Sequence, residues 1–238
     1  MAPRVRLNRY LARCGIGSRR ACDTIIADGR VKVNGEIVAK LGACINEGDE
    51  VAVDGKPVEP AKEYRYYAFN KPRGVLTTAK DPYKRKIVKH LLPPWLRDLK
   101  PVGRLDRDTE GLLLLTDDGS FAQRVAHPSG GVVKRYEITV KGVVAEKDLK
   151  KLETGVALPD GHIGRGMVTA VRESDDVTVV VLEVGYGRKR MIRRMFGALG
   201  YKIAVLRRSA VGPVELGNLE PGKFRELTAR EVAALLET

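Results

Sequence analysis

The sequence predicts an α+β protein in two parts, and three observations carry that prediction. Helical periodicity fills roughly the first thirty residues, turn dipeptides then punctuate short alternating strands, and beyond a polar stretch the apolar runs lengthen and become strand-like. Helices cluster instead of alternating one for one with strands, which argues against a doubly wound sheet. The 238 residues are 43% apolar, enough to bury a core in one large or two smaller domains.

In RLNRYLARCG the apolar positions Leu7, Tyr10, Leu11 and Cys14 follow the i, i+3, i+4, i+7 spacing of one helical face. GSRRACDTIIADGR offers Ser18 as N-cap, Ala21, Cys22, Ile25 and Ile26 as the buried face, and Gly29 as terminator. VKVNGEIV and VAVDGKPV alternate across Asn34-Gly35 and Asp54-Gly55, so small hairpins follow. A polar stretch ending at Tyr64 reads as a linker, taken as residues 59–64 between units at 1–58 and 65–238. Further strands are expected at Tyr66–Phe69, Lys134–Lys141, Val177–Val184 and Ile203–Leu206. RKRMIRRMFGALG reads as a helix with Met191, Ile192, Met195, Phe196 and Leu199 inward, and Thr228-x-x-Glu231 opens a last helix as a capping box. Three cysteines, Cys14, Cys22 and Cys44, lack disulfide or zinc spacing and are expected to be small core residues in a reducing cytoplasm.

Lys and Arg outnumber Asp and Glu by 43 to 30, a field that attracts polyanions. With one Trp and four Phe, the chain has little to anchor a membrane-surface helix, so nucleic acid is the expected partner and no membrane is. No apolar run approaches the roughly 18 residues of a membrane span, and charges run through MAPRVRLNRYLARCG, so no secretory leader is expected.

Against that charge stands GRLDRDTEGLLLLTDDG, Gly103–Gly119, where acidic residues surround four leucines. A calcium loop starting at Asp106 would place leucines at its seventh to tenth positions, where ion ligands belong, so that reading fails. A phosphoaspartate site fails too, because Thr109 follows Asp108 directly and no long buried strand precedes Asp106. What remains is a turn feeding a buried strand, LLLLT, that ends in the turn Asp117-Asp118-Gly119. The carboxylates are then surface pairs for Arg104 and Arg107, or one of them is chemical.

Residues 4–58, with two short helices, Ser18-Arg19-Arg20 at the second helix start, GRVKVNG and a GDEV strand, resemble the S-four-type RNA-binding domain. Arg19 and Arg20 would add charge to a helix N-terminus that already favours phosphate. The rest closely resembles the RsuA/RluB branch of the pseudouridine synthases, which modify ribosomal RNA. FNKPRGVLTT, GRLDRDTEGLLLLTDDG, HPSGGVVKRYEITVKG and GRKRMIRRMFGALG carry the likeness in order.

That resemblance implies a catalytic domain with a mixed, largely antiparallel sheet and flanking helices. It makes Asp106 the catalytic carboxylate, Tyr136 the aromatic against the target base, and Arg193 the cation paired with the catalytic Asp. Met191 stands where the family usually has Gln. Lys71, Arg73, Arg104, Arg188, Lys189, Arg190 and Arg194 would join Arg19 and Arg20 in holding RNA. The substrate would be a uridine of ribosomal RNA, most readily large-subunit RNA, free or in a pre-ribosomal particle. The isomerisation changes no redox state and gains no atoms, so neither cofactor nor metal is expected, and a monomer is. A non-catalytic RNA-binding protein and a synthase for small-subunit or transfer RNA are the rivals.

If residues 1–58 supply affinity and no chemistry, deleting them should weaken RNA binding and flatten its salt dependence. Loss of roughly three phosphate contacts would reduce the log–log salt slope by about two to three. Binding titrations at several salt concentrations test this, and an unchanged slope contradicts it.

Overall fold

The computed structural model describes residues 4–60, 63–174 and 176–237 and separates two units, Met1–Tyr64 and Arg65–Thr238. The expected linker falls partly on Ala61 and Lys62, which lie outside the described residues.

In the first unit, helix α1 (Leu7–Arg13) buries Leu7 and Leu11, and α2 (Arg19–Ala27) buries Cys22 and Ile26. Ser18 caps α2, its hydroxyl accepting from the Ala21 amide at 3.2 Å. Asn34-Gly35 and Asp54-Gly55 all take positive φ, the conformation a two-residue hairpin turn demands. The hairpins build a four-stranded sheet in the order Glu36–Ile37, Val31–Val33, Val51–Val53, Lys56–Pro57. Its valines Val31, Val51 and Val53 close the core against both helices. Of the three cysteines, Cys22 is a core residue, whereas Cys14 is half-buried and Cys44 is exposed, correcting the expectation for these two.

Among its described residues, the second unit is α+β, built on a nine-stranded sheet. Its main path runs Met167–Ser174, Val177–Val184, Lys134–Lys141, Ile203–Val211, Glu110–Thr116, Tyr66–Lys71, Phe224–Glu226. Pairing is antiparallel except where the Ile203 and Glu110 strands meet, Arg207 with Glu110 and Arg208 with Gly111. Gly111 has φ +101°, and a Cβ there would sit 2.3 Å from the Arg208 carbonyl oxygen, so only glycine lets the two halves of the sheet join.

Helices α3 (Gly119–Ala126) and α6 (Ala229–Glu237) pack with Leu112, Leu114, Phe121 and Leu235 in one core. Leu113 and Leu115 point the other way, into a second core with Phe69, Leu96 and Leu105. The leucine run is thus a strand buried on both faces, which is why it does not alternate with polar residues. Helices α4 (Glu146–Thr154) and α5 (Met191–Ala198) cover the third core, where Ile138, Val180 and Leu182 meet Leu152, Met195 and Phe196. Leu199 of the predicted helix lies just past α5 and is partly buried against this core.

Strands expected to end at Phe69 and Leu206 continue to Lys71 and Val211. Asp117-Asp118-Gly119 is more than a turn: Asp118 caps α3, accepting from the Ser120 amide at 2.8 Å and the Phe121 amide at 3.1 Å. Thr228 and Glu231 form the anticipated capping box of α6. Among the described residues, no helix is long and apolar enough to cross a membrane.

Candidate active site

The loop Gly103–Thr109 is short of secondary structure, so its backbone groups need partners from elsewhere. The segment Lys71–Thr77 supplies them. Lys71 is fully buried, and its Nζ donates to the carbonyls of Thr109 (2.6 Å), Pro72 (3.1 Å) and Arg107 (3.4 Å). The Gly74 amide donates to the Arg107 carbonyl at 2.7 Å, and the Thr77 hydroxyl donates to that of Leu105 at 2.9 Å. The Thr109 amide closes a turn onto the Asp106 carbonyl at 3.1 Å. One motif is the scaffold of the other.

This brace separates two carboxylates that lie two residues apart. Asp108 meets α5: Arg190 Nη1 donates to its Oδ1 at 3.0 Å, Arg193 Nη2 donates to its main-chain carbonyl at 2.8 Å, and Arg193 Nε lies 3.4 Å from Oδ2. Burial works to raise the Asp108 carboxyl, but the Arg190 hydrogen bond and the Arg193 charge outweigh it and hold it below its ordinary range. Burial in turn lowers the Arg193 guanidinium, with Asp108 and Asp106 opposing that shift. Arg190, which precedes α5, takes a left-handed φ of 52°, an uncommon conformation for a side-chain-bearing residue that turns its guanidinium toward the loop.

Asp106 faces a cavity of about 570 Å³, shared with Tyr136, Arg104, Arg188, Lys189, Arg190, Met191 and Arg193. Among the described residues, no ion pair or hydrogen bond reaches its carboxylate. The expected Arg193–Asp106 pair is therefore corrected: Arg193 contacts Asp108 and feels Asp106 only through space. The acidic neighbour is likewise more than turn chemistry, because Asp108 ties the loop to a helix more than eighty residues along the chain. Ten Lys and Arg side chains line the cavity against two carboxylates, Asp81 and Asp106, a field suited to a polyanion.

Several residues expected to hold RNA sit elsewhere. Lys71 cannot touch a ligand, since its ammonium is enclosed by the loop carbonyls. Arg194 turns from the cavity and pairs with Asp160 at 2.8 Å. Arg73 is exposed and donates to the Ala204 carbonyl at 3.3 Å, outside the cavity lining. Arg19 and Arg20 are exposed on the first unit. Met191, 3% exposed, packs in the core beneath α5, so the position usually held by Gln contributes apolar contact.

Sequence reasoning missed other lining residues. Lys80 and Arg85 stand at the cavity, with Arg85 gripping the buried Asp81 carboxylate at 2.5 Å and stacking on exposed Tyr83. Lys134 and buried Arg208 lie deeper. A polar side chain on the inward face of a strand was the available signal for these two. No group of His, Cys, Asp and Glu suited to a metal occurs among the described residues.

Comparison with known proteins bears on the whole chain. A family model described as RNA pseudouridylate synthase matches residues 65–198, and one for the S4 domain matches residues 5–51. The chain is 43% identical over 235 residues to an uncharacterized RNA pseudouridine synthase of Aquifex aeolicus, covering 98% of this chain and 94% of that one. It is 38% identical over 232 residues to ribosomal large subunit pseudouridine synthase B of Bacillus subtilis, covering 97% and 95%. A crystal structure of a pseudouridylate synthase superposes with a TM-score of 0.69 at 31% identity, over 97% of this chain and 99% of that one.

The Lys71 brace has a pH signature. Burial lowers the Lys71 ammonium from 10.5 to about 8, with Asp108, Glu110 and Asp106 opposing that shift. Between those values the unfolded chain binds more protons than the folded one, so this group's contribution to stability rises with pH. The unfolding free energy of wild type relative to Lys71→Met should increase between about pH 7.5 and 10, by roughly 2 kcal/mol. Urea unfolding of both proteins across that range checks it, and a flat or falling difference contradicts it.

Proposed function

The chain belongs to the RNA pseudouridylate synthase family and carries an S4 domain, and from that premise we propose that it isomerises a uridine of large-subunit ribosomal RNA, with Asp106 acting on the ribose. The single observation that carries the reading is the state of Asp106: a carboxylate on a braced loop, facing a cationic cavity, with no partner of its own among the described residues. A structural carboxylate would be paired, as Asp108 is.

Pseudouridine formation breaks the bond from N1 of uracil to C1′ of the ribose and remakes it from C5 of the same base. A carboxylate beside the anomeric carbon can do this work in its charged form. RNA phosphates disfavour that form and nearby cations favour it. Arg190 and Arg193 sense the Asp106 charge without contacting it, so its oxygens stay open to the sugar.

The target base must leave its stack to enter such a cavity, and an aromatic wall stabilises it there. Tyr136, on the Lys134 strand, is half-buried between two cores and presents to the same cavity as Asp106, which suits that role. Arg104, Arg188 and Lys189 at the rim would hold the phosphates on either side, and residues 1–58, with Arg19 and Arg20, would add affinity from the first unit. In this reading residues 65–238 form the catalytic domain, and the enzyme acts as a monomer in the cytoplasm. The substrate preference follows the large-subunit synthase of Bacillus subtilis, to which the likeness is nearly full-length.

The test is to map pseudouridines in ribosomal RNA from cells with and without the protein. One large-subunit pseudouridine should vanish without it and return on complementation with wild type but not with Asp106→Asn. Persistence of every large-subunit pseudouridine contradicts the substrate, and restoration by a folded Asp106→Asn protein contradicts the role of Asp106.

A further inference from the structure

The most buried cation lining the cavity is Arg208, and the donors on its two terminal nitrogens are unspent. It is 5% exposed and stands directly across from Tyr136 in the antiparallel pairing of the Lys134 and Ile203 strands. Its Nε donates to the Leu112 carbonyl at 2.7 Å, which fixes the plane of the guanidinium. The two terminal nitrogens meet no hydrogen-bond or ion-pair partner among the described residues, yet they are not sealed off as buried orphans are. Arg208 itself lines the cavity.

Among the described residues, no carboxylate forms an ion pair with Arg208. Lys134, on the same face of the sheet, directs its Nζ to the carbonyls of Val132 (2.5 Å) and Val125 (3.0 Å). Leu206, Val184 and Val211 complete this part of the lining. Leaving a buried cation without an anion is unfavourable by several kcal/mol, so its retention points to an anion that arrives with the substrate. A backbone phosphate would meet the exposed rim first, where Arg104, Arg188 and Lys189 already wait. What reaches the wall beside Tyr136 is the base.

Resting on the function proposed above, we propose that Arg208 is a further catalytic residue, donating from its terminal nitrogens to a carbonyl oxygen of the flipped uracil. When the N1–C1′ bond breaks, its electron pair stays with the base, and the negative charge spreads from N1 onto the carbonyl oxygens. Arg208 stabilises that anion until C5 bonds to C1′, the C5 proton leaves and N1 takes up a proton. Atoms and electrons balance without a co-reactant. Donors preplaced for charge that develops only during the reaction are the most effective kind.

The test compares full-length wild type, Arg208→Gln and Arg208→Lys on one RNA carrying uridine or 5-fluorouridine at the target. Single-turnover loss of the N1–C1′ bond is followed by nuclease digestion and mass spectrometry, and affinity by filter binding. Fluorine at C5 withdraws electrons and makes the base a better leaving anion, so it should partly replace Arg208. On uridine, Arg208→Gln should be slower by about 10²–10³-fold with RNA affinity within about threefold of wild type. On 5-fluorouridine its deficit should be at least about tenfold smaller. Arg208→Lys keeps the charge but not the planar fork, so it should fall between, and it supports the same comparison if the Gln variant does not fold. Equal deficits on both RNAs overturn the inference, as does weakened binding with an unchanged rate, the mark of a phosphate contact. A wild type that leaves uridine intact contradicts the functional reading itself.

Discussion

The buried ammonium of Lys71 is the interaction on which the rest of this site depends. An ammonium taken out of water without partners is costly by many kcal/mol, and here three carbonyls receive it. Two of them, from Arg107 and Thr109, belong to the loop that carries Asp106 and Asp108. The loop cannot shift without leaving the buried Nζ short of acceptors, so it is held in one shape. Gly111 then lets the following strand pass against the Arg208 backbone, which places Tyr136 and Arg208 side by side on the same cavity wall.

Within that frame, charge is divided between two nearby carboxylates. Asp108 absorbs the contacts of Arg190 and Arg193 and so docks α5 onto the loop. Asp106 receives their field without their hydrogen bonds. A direct Arg–Asp106 pair would have to be broken before the carboxylate could reach a sugar, at a price set by that pair. The arrangement seen here keeps the cations close and the carboxylate available. The same cations, with those at the rim, give the cavity the sign that a polyanion requires.

Local signals in the sequence were faithful where local physics decides the outcome. Ser18, Asn34-Gly35, Asp54-Gly55 and the Thr228–Glu231 box act within four residues, and each forms as its chemistry dictates. The leucine run was legible as a buried strand, because a strand apolar on both faces has few alternatives. What escaped depends on distant partners. Lys71 reads as a surface cation until the loop beyond residue 104 wraps it. Asp108 reads as a turn residue until Arg190 and Arg193 arrive from α5. Helix α4 presents only Leu149 and Leu152 as apolar residues, and α3 was hidden because its cap, Asp118, also fits a turn. The Met167 strand lies at the sheet edge, mostly exposed, and carries no clear alternation.

The central claim is the division of labour between Asp106 and Asp108, and one paired measurement tests it directly. Unfolding free energy and single-turnover pseudouridine formation are measured for Asp106→Asn and Asp108→Asn on the same RNA. Asp106→Asn should leave stability within about 0.5 kcal/mol of wild type while turnover disappears. Asp108→Asn should lose about 1–2 kcal/mol, because Arg190 and Arg193 lose their anion, yet keep measurable turnover. The opposite pattern, with Asp106 carrying stability and Asp108 carrying the reaction, would contradict the account.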